Sequence, residues 1–204
     1  ALDRALRWAL LLGAPAALGL ALLAGPIIAT LFYSPEFTPL DVVMASESLA
    51  AYAAGILGFL CIKVLAPGYY ARQDTRTPVR FALAALLLNT LFSVVLMFPL
   101  RHTGLALGTA IAAAANAALL LRGLLRQGVY RPQIGWRILA AKGFGACCAM
   151  AALLVWGAGE TADWIAMGSW ERVVDLIGWL LVSGVVYFGV LFALGVRPGH
   201  LKLG

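Results

Sequence analysis

Residues 61–80, CIKVLAPGYYARQDTRTPVR, set positive charge, helix breakers and aromatic rings between two long apolar runs. Pro67 has no backbone N–H to donate and Gly68 is conformationally permissive, so the apolar helix arriving from Gly55 is expected to end or unwind there, a candidate hinge. Tyr69 and Tyr70 then fall where a membrane interface favours amphipathic rings. Arg72, Arg76 and Arg80 recur every four residues, with Asp74 among them, and Thr77-Pro78 offers a stop and restart. The charge marks a face in water.

Outward from that stretch the chain is apolar. Of its 204 residues 63% are hydrophobic and 12% charged, and the mean hydropathy is +0.93. Soluble domains are about 45–50% apolar. A spanning helix needs about 20 apolar residues, and six such stretches fall at Leu6 to Phe32, Leu49 to Ala66, Val79 to Pro99, Gly104 to Leu125, Ile138 to Gly157 and Val173 to Val196. The expected fold is an all-α polytopic transmembrane bundle of six helices. Nothing alternates apolar and polar residues in the manner of an outer-membrane barrel strand.

The charges are sided. The first connection carries Glu36, Asp41 and Glu47 with no Lys or Arg, and the fifth carries Glu160, Asp163, Glu171 and Asp175 against Arg172 alone. The second holds Arg72, Arg76 and Arg80; the fourth holds Arg122, Arg126, Arg131 and Arg137, with Lys142 just beyond. The positive-inside rule therefore places the second and fourth connections and both termini in the cytoplasm. The net charge of +6 faces water and anionic headgroups rather than nucleic acid.

Enzymatic chemistry at a membrane surface needs clustered carboxylates, histidines or a metal motif, and none stands at convincing spacing. Glu171 and Asp175 read as a solvated helix start. Cys61, Cys147 and Cys148 lie in apolar runs without metal or redox spacing and read as packing residues; His102 and His200 are solitary interfacial residues. The chain opens without Met or signal peptide in an arginine-bearing helix start, as expected of a piece of a longer protein.

Polar groups inside the spans are few. Pro15 and Gly25-Pro26 are places for the first span to bend, as in a rocking transporter or in an inert kinked helix. Lys63 stands about four residues before Pro67, where it either snorkels to the surface or lines a cavity and attracts a phosphate. Asn89 and Ser93 share a face of the third span, and Thr109 and Asn116 a face of the fourth. They serve either interhelical hydrogen bonds or a cation or proton site built from Asn89, Ser93 and Thr109. Neither span has a midplane carboxylate, so such a cation would bind weakly or be completed by another helix. Gly104-Leu-Ala-Leu-Gly108 and the alanines to 118 predict close packing.

After the basic Arg122–Arg137 connection the composition shifts. Trp156, Trp164, Trp170, Trp179 and Tyr187 fit interfacial belts or lipid-facing positions. Gly143, Gly145, Gly184 and Gly189 would let the last two helices approach closely or leave a groove for an acyl or prenyl chain.

Residues 63–79, KVLAPGYYARQDTRTPV, resemble the signature of the MurJ (MviN) lipid II flippases, of the multidrug/oligosaccharidyl-lipid/polysaccharide exporter superfamily. The likeness extends to the Pro-bearing first helix, Arg101-His-Thr-Gly104, the Ala-rich helix and RPQIGW at 131–136. It implies fourteen helices, of which these are helices nine to fourteen: residues 1–129 four helices of the second lobe, residues 130–204 a basic connection and a C-terminal pair forming a lipid-tail groove. It implies export of lipid II, an undecaprenyl-linked peptidoglycan precursor, across the bacterial inner membrane by alternating access, with the main headgroup site on helices before Ala1. Lys63, Arg72, Arg76 and Arg80 would help attract the anionic headgroup. No cofactor is implied beyond coupling to sodium or membrane potential; Asn89, Thr109 and the Leu105 carbonyl match a sodium site of some members, with Ser93 where a carboxylate is expected. The alternatives are an O-antigen or multidrug exporter of the same superfamily, or a membrane scaffold that transports nothing.

Overall fold

Leu2–Leu22 (α1) and Ala24–Phe32 (α2) together make the first expected span, divided at Leu23, whose φ of −94° and ψ of 13° leave the helical region. Pro26 lies in the first turn of α2, where its missing N–H leaves no extra orphan beyond those of any helix start. Pro15, expected as a second bend, sits inside α1 without interrupting it. The computed structural model describes residues 2–196. Its regular elements are all helices: α1, α2, α3 (Pro39–Tyr70), α4 (Arg76–Arg126), α5 (Trp136–Gly157), α6 (Thr161–Ala166) and α7 (Ser169–Ala193). His200 lies outside the described residues.

α3 begins ten residues before the expected second span. Thr38 caps it, accepting a hydrogen bond from the Asp41 N–H while the Asp41 carboxylate accepts one from the Thr38 N–H at 2.9 Å, and Pro39 pre-sets the first turn. Hydropathy marked the buried length; the capping box sets the helix. At its other end the expected stop at Pro67 is corrected, because α3 runs on to Tyr70. A proline in a last turn removes one donor without ending the ladder, and the Ala71 N–H closes the helix on the Pro67 carbonyl at 3.0 Å. Gly68 faces Leu2 and Leu124 in a packed contact.

Five helices are long and apolar enough to cross a membrane, and the longest, α4, has 51 residues. Drawn straight it would reach about 76 Å, more than twice a hydrocarbon core of about 30 Å. It folds back instead. Arg101 has φ 50° and ψ −127°, outside the helical region, and beyond it Gly104 lies against the Leu96 carbonyl and Gly108 against Ser93. The third and fourth expected spans are the two limbs of α4, so among the described residues the six expected spans lie in five long helices.

The second limb packs on α3 through glycine. A Cβ at Gly55 would stand 2.9 Å from the Ala110 Cα, and one at Gly58 would stand 2.8 Å from the Ala113 carbonyl carbon. At the basic end Leu6, Leu65, Tyr69, Leu120, Leu124 and Tyr130 form one buried cluster. Tyr69, expected at an interface, is 1% exposed, its hydroxyl donating to the Leu120 carbonyl at 2.7 Å.

A second cluster joins α1, α5 and α7 through Leu11, Met150, Leu154, Tyr187 and Leu191. A third, at the acidic end, surrounds Trp164 with Ile28, Ala29, Val42 and Leu176. Trp164 and Tyr187 are therefore core rather than belt residues: the Trp164 indole donates to the Ala158 carbonyl and the Tyr187 hydroxyl to the Leu11 carbonyl. Trp156 and Trp170 are exposed, at 92% and 77%. The glycines expected to let the last pair approach or to leave a groove divide: Gly145 lies against Leu194 just past α7, and Gly143 lines a groove beside α1. Gly184 and Gly189 open onto empty space, Gly143 faces Leu11, and the close approach is the Trp179 ring over Gly157.

Candidate functional site

The limbs of α4 bring Asn89, Ser93, Leu105 and Thr109 to one place. Asn89 Oδ1 accepts from the Ser93 hydroxyl at 3.2 Å and lies 3.2 Å from Thr109 Oγ1. Thr109 Oγ1 is also 3.0 Å from the Leu105 carbonyl oxygen. One hydroxyl proton serves only one acceptor at a time, so four oxygens converge on two protons and the cluster has lone pairs to spare. Gly108 makes the approach feasible, since a Cβ there would meet Ser93 Oγ at 2.6 Å. Chemically this is a neutral, oxygen-rich cluster of the kind that holds a hard cation weakly. Asn116, further along the second limb, has a buried Oδ1 without a hydrogen-bond partner.

The four expected cations share the basic end without touching. Lys63 is exposed on the face of α3 that also carries Tyr52, Phe59 and Tyr70. Arg72 follows about 13 Å along the chain axis and donates to Gln127 Oε1 at 3.0 Å, tying the end of α3 to the end of α4. Arg76 and Arg80 are exposed on the first turns of α4. Among the described residues no hydrogen bond or ion pair joins any two of the four. Hydrogen bonds from the Thr77 N–H and hydroxyl hold the nearby Asp74 carboxyl below its usual range, so it stays an anion among the arginines.

Where α5 meets the lobe, an apolar cavity of about 420 Å³ opens between α1, α3 and α5. Ala14, Ala17, Ala53 and Ala54 line one side, Phe144 and Cys148 the other. Small side chains leave this space; the pair's own glycines do not.

Two anchors were not foreseen from the sequence. Asp3 is 8% exposed and accepts from the Tyr130 hydroxyl at 2.8 Å, the Trp136 indole at 2.7 Å and the Gln133 N–H at 3.4 Å, while Arg7 pairs with it at 2.7 Å. Arg172, 6% exposed, donates to the Ala29 carbonyl at 2.8 Å and the Met167 carbonyl at 3.1 Å, with its guanidinium 4.9 Å from the Tyr33 ring centre. Near the turn between the limbs of α4, His102 Nε2 lies 3.6 Å from Glu47.

A family profile described as "Lipid II flippase MurJ" matches residues 1–174. The chain belongs to that MurJ family. Two relatives align over 98% of the chain: the "Probable lipid II flippase MurJ" of Vibrio cholerae at 41% identity and the "Lipid II flippase MurJ" of Burkholderia cenocepacia at 36%. The chain spans 38% and 39% of their lengths. A solved structure, "Lipid II flippase MurJ, inward closed conformation", superposes with a TM-score of 0.66 over 94% of this chain and 39% of its own, at 20% identity. That likeness carries the MurJ fold.

Proposed function

We propose that this chain is the C-terminal part of a flippase carrying lipid II, the undecaprenyl-pyrophosphate-linked peptidoglycan precursor, across the bacterial cytoplasmic membrane by alternating access. It is a transporter and not an enzyme, and it serves cell-wall synthesis and cell shape. The observation that carries the reading is the family match over residues 1–174, supported by 41% identity to the Vibrio cholerae relative. On this reading the helices correspond to helices nine to fourteen of a fourteen-helix carrier, the basic end and both termini face the cytoplasm, and preceding helices supply the main headgroup site.

Lys63, Arg72, Arg76 and Arg80 raise the local concentration of a pyrophosphate-bearing headgroup at the basic end. The undecaprenyl tail occupies the apolar space beside α5. The Asn89, Ser93, Leu105 and Thr109 oxygens hold a coupling cation, or else transport responds to membrane potential alone. The test is translocation of fluorescent lipid II in proteoliposomes by the protein in the full length its gene encodes. Wild type should move lipid II and the Lys63→Gln, Arg72→Gln double variant should move it several-fold more slowly. Equal rates would end the headgroup role. Movement of an O-antigen lipid or a cationic drug in preference to lipid II would replace the substrate, and movement of nothing would favour a scaffold.

A further inference from the structure

We propose that the junction of α1, α5 and α7 at the basic end is a binding site for an anionic diacyl phospholipid. A cavity of about 160 Å³ there is lined by Arg7, Leu139, Lys142, Gly195 and Val196. Its two cations differ in availability. Arg7 is committed, paired with Asp3 at 2.7 Å, donating to the Ile134 carbonyl at 3.1 Å and lying 5.5 Å from the centre of the Trp136 ring. Lys142 has no carboxylate partner among the described residues. It sits about 9 Å along α5 from Trp136, within snorkelling reach of the surface.

Gly195 lies beside the amine. Its φ of 78° suits glycine, and a Cβ there would stand 3.7 Å from Lys142 Nζ. With Asp3 balancing Arg7, the described lining of the pocket carries one uncompensated positive charge, which matches one phosphodiester. Basic pockets between helices at the membrane surface are where anionic headgroups bind.

Two apolar grooves leave this point. One of about 260 Å³ runs between α1 and α5 and shares Leu139 with the cationic pocket. The other, of about 390 Å³, runs between α1 and α7 past Trp8, Leu12 and Phe188 and shares Val196 with it. One headgroup position feeding two grooves fits two acyl chains; a polyprenyl phosphate has one.

The test is native mass spectrometry of the full-length protein with dioleoyl phosphatidylglycerol, dioleoyl phosphatidylcholine, undecaprenyl phosphate or inorganic phosphate added separately. Wild type should retain phosphatidylglycerol over phosphatidylcholine, and Lys142→Gln should weaken retention about fivefold. Lys142→Arg should restore it. Leu12→Trp, which fills the α1–α7 groove and leaves the lysine in place, should weaken it too. Unchanged retention of phosphatidylglycerol in Lys142→Gln overturns the site, as does a retention of undecaprenyl phosphate that Lys142→Gln weakens more than that of phosphatidylglycerol, or binding of inorganic phosphate alone at equal strength. None of these outcomes bears on whether lipid II is carried.

Discussion

Asp3 Oδ1 and Trp136 Nε1 are 133 residues apart in the chain and 2.7 Å apart in the fold. Together with the Tyr130 hydroxyl and Arg7 on the same carboxylate, this contact fastens the start of α1 to the connection that leads into α5. Asp3→Ala leaves the buried Tyr130 hydroxyl and the half-buried Trp136 indole and Arg7 guanidinium without this acceptor, and a donor stranded in the interior costs about 1–3 kcal/mol. Unfolding of the detergent-solubilised protein should shift by about 3 kcal/mol in total, and trypsin should cut faster at Arg137. Tyr130→Phe, which removes one hydroxyl, should cost about 1 kcal/mol. Equal stability of Asp3→Ala and wild type would show that the carboxylate anchors nothing.

The same contact sets an alkaline limit. Burial, then the Asp3 carboxylate that accepts its proton, push the Tyr130 hydroxyl above its ordinary value of 10.0. The folded chain therefore holds this proton where the unfolded chain has released it. The resulting stability is complete below pH 10 and declines as pH rises beyond it. Unfolding measured between about pH 8 and 11.5 should steepen for wild type relative to Tyr130→Phe over the upper part of that range. Parallel curves would count against it.

Close packing of α3 on α4 depends on hydrogen atoms at Gly55 and Gly58. In Gly58→Ala the new methyl would meet the Ala113 and Ala114 backbone at 2.8 Å, and backbone cannot swing aside. Overpacking of about 1–3 kcal/mol should outweigh the roughly 1 kcal/mol gained in helix propensity. Gly178→Ala is the contrast: nothing lies within 4 Å, so propensity alone acts and stability should rise by about 0.5–1 kcal/mol. Thermal unfolding of the two variants should move in opposite directions.

For the oxygen cluster the informative change adds charge. Ser93→Asp should strengthen sodium-dependent thermal stabilisation, measured against choline chloride, by about tenfold in half-saturating concentration. Thr109→Val should abolish what wild type shows. No sodium response in Ser93→Asp would reduce the cluster to an interhelical hydrogen-bond set.

The oxygen cluster was legible in the chain because its spacing is local: Asn89 and Ser93 are one turn apart, and Gly104 to Gly108 announced the close limb that brings Thr109 across. Asp3 was not, because an acid in a first helical turn looks solvated and its partners lie 127 to 133 residues away. Tyr69, Trp164 and Tyr187 resembled interfacial aromatics for a related reason. An amphipathic ring satisfies its polar atom equally with water or with a carbonyl of another helix, and only the fold decides which. Pro67 misled through the strength of a rule about helix interiors, when it stands one turn from an end.

Arg172 holds α7 to the end of α2, and Asp3 holds the approach to α5 against the start of α1, while between them the Leu11–Tyr187 contact and its apolar cluster stand beside alanine-lined cavities. The terminal pair is thus mounted like a plank bolted at both ends. A tilt of α1 and α2 would carry the pair along with it, since both of its ends are fastened to that pass.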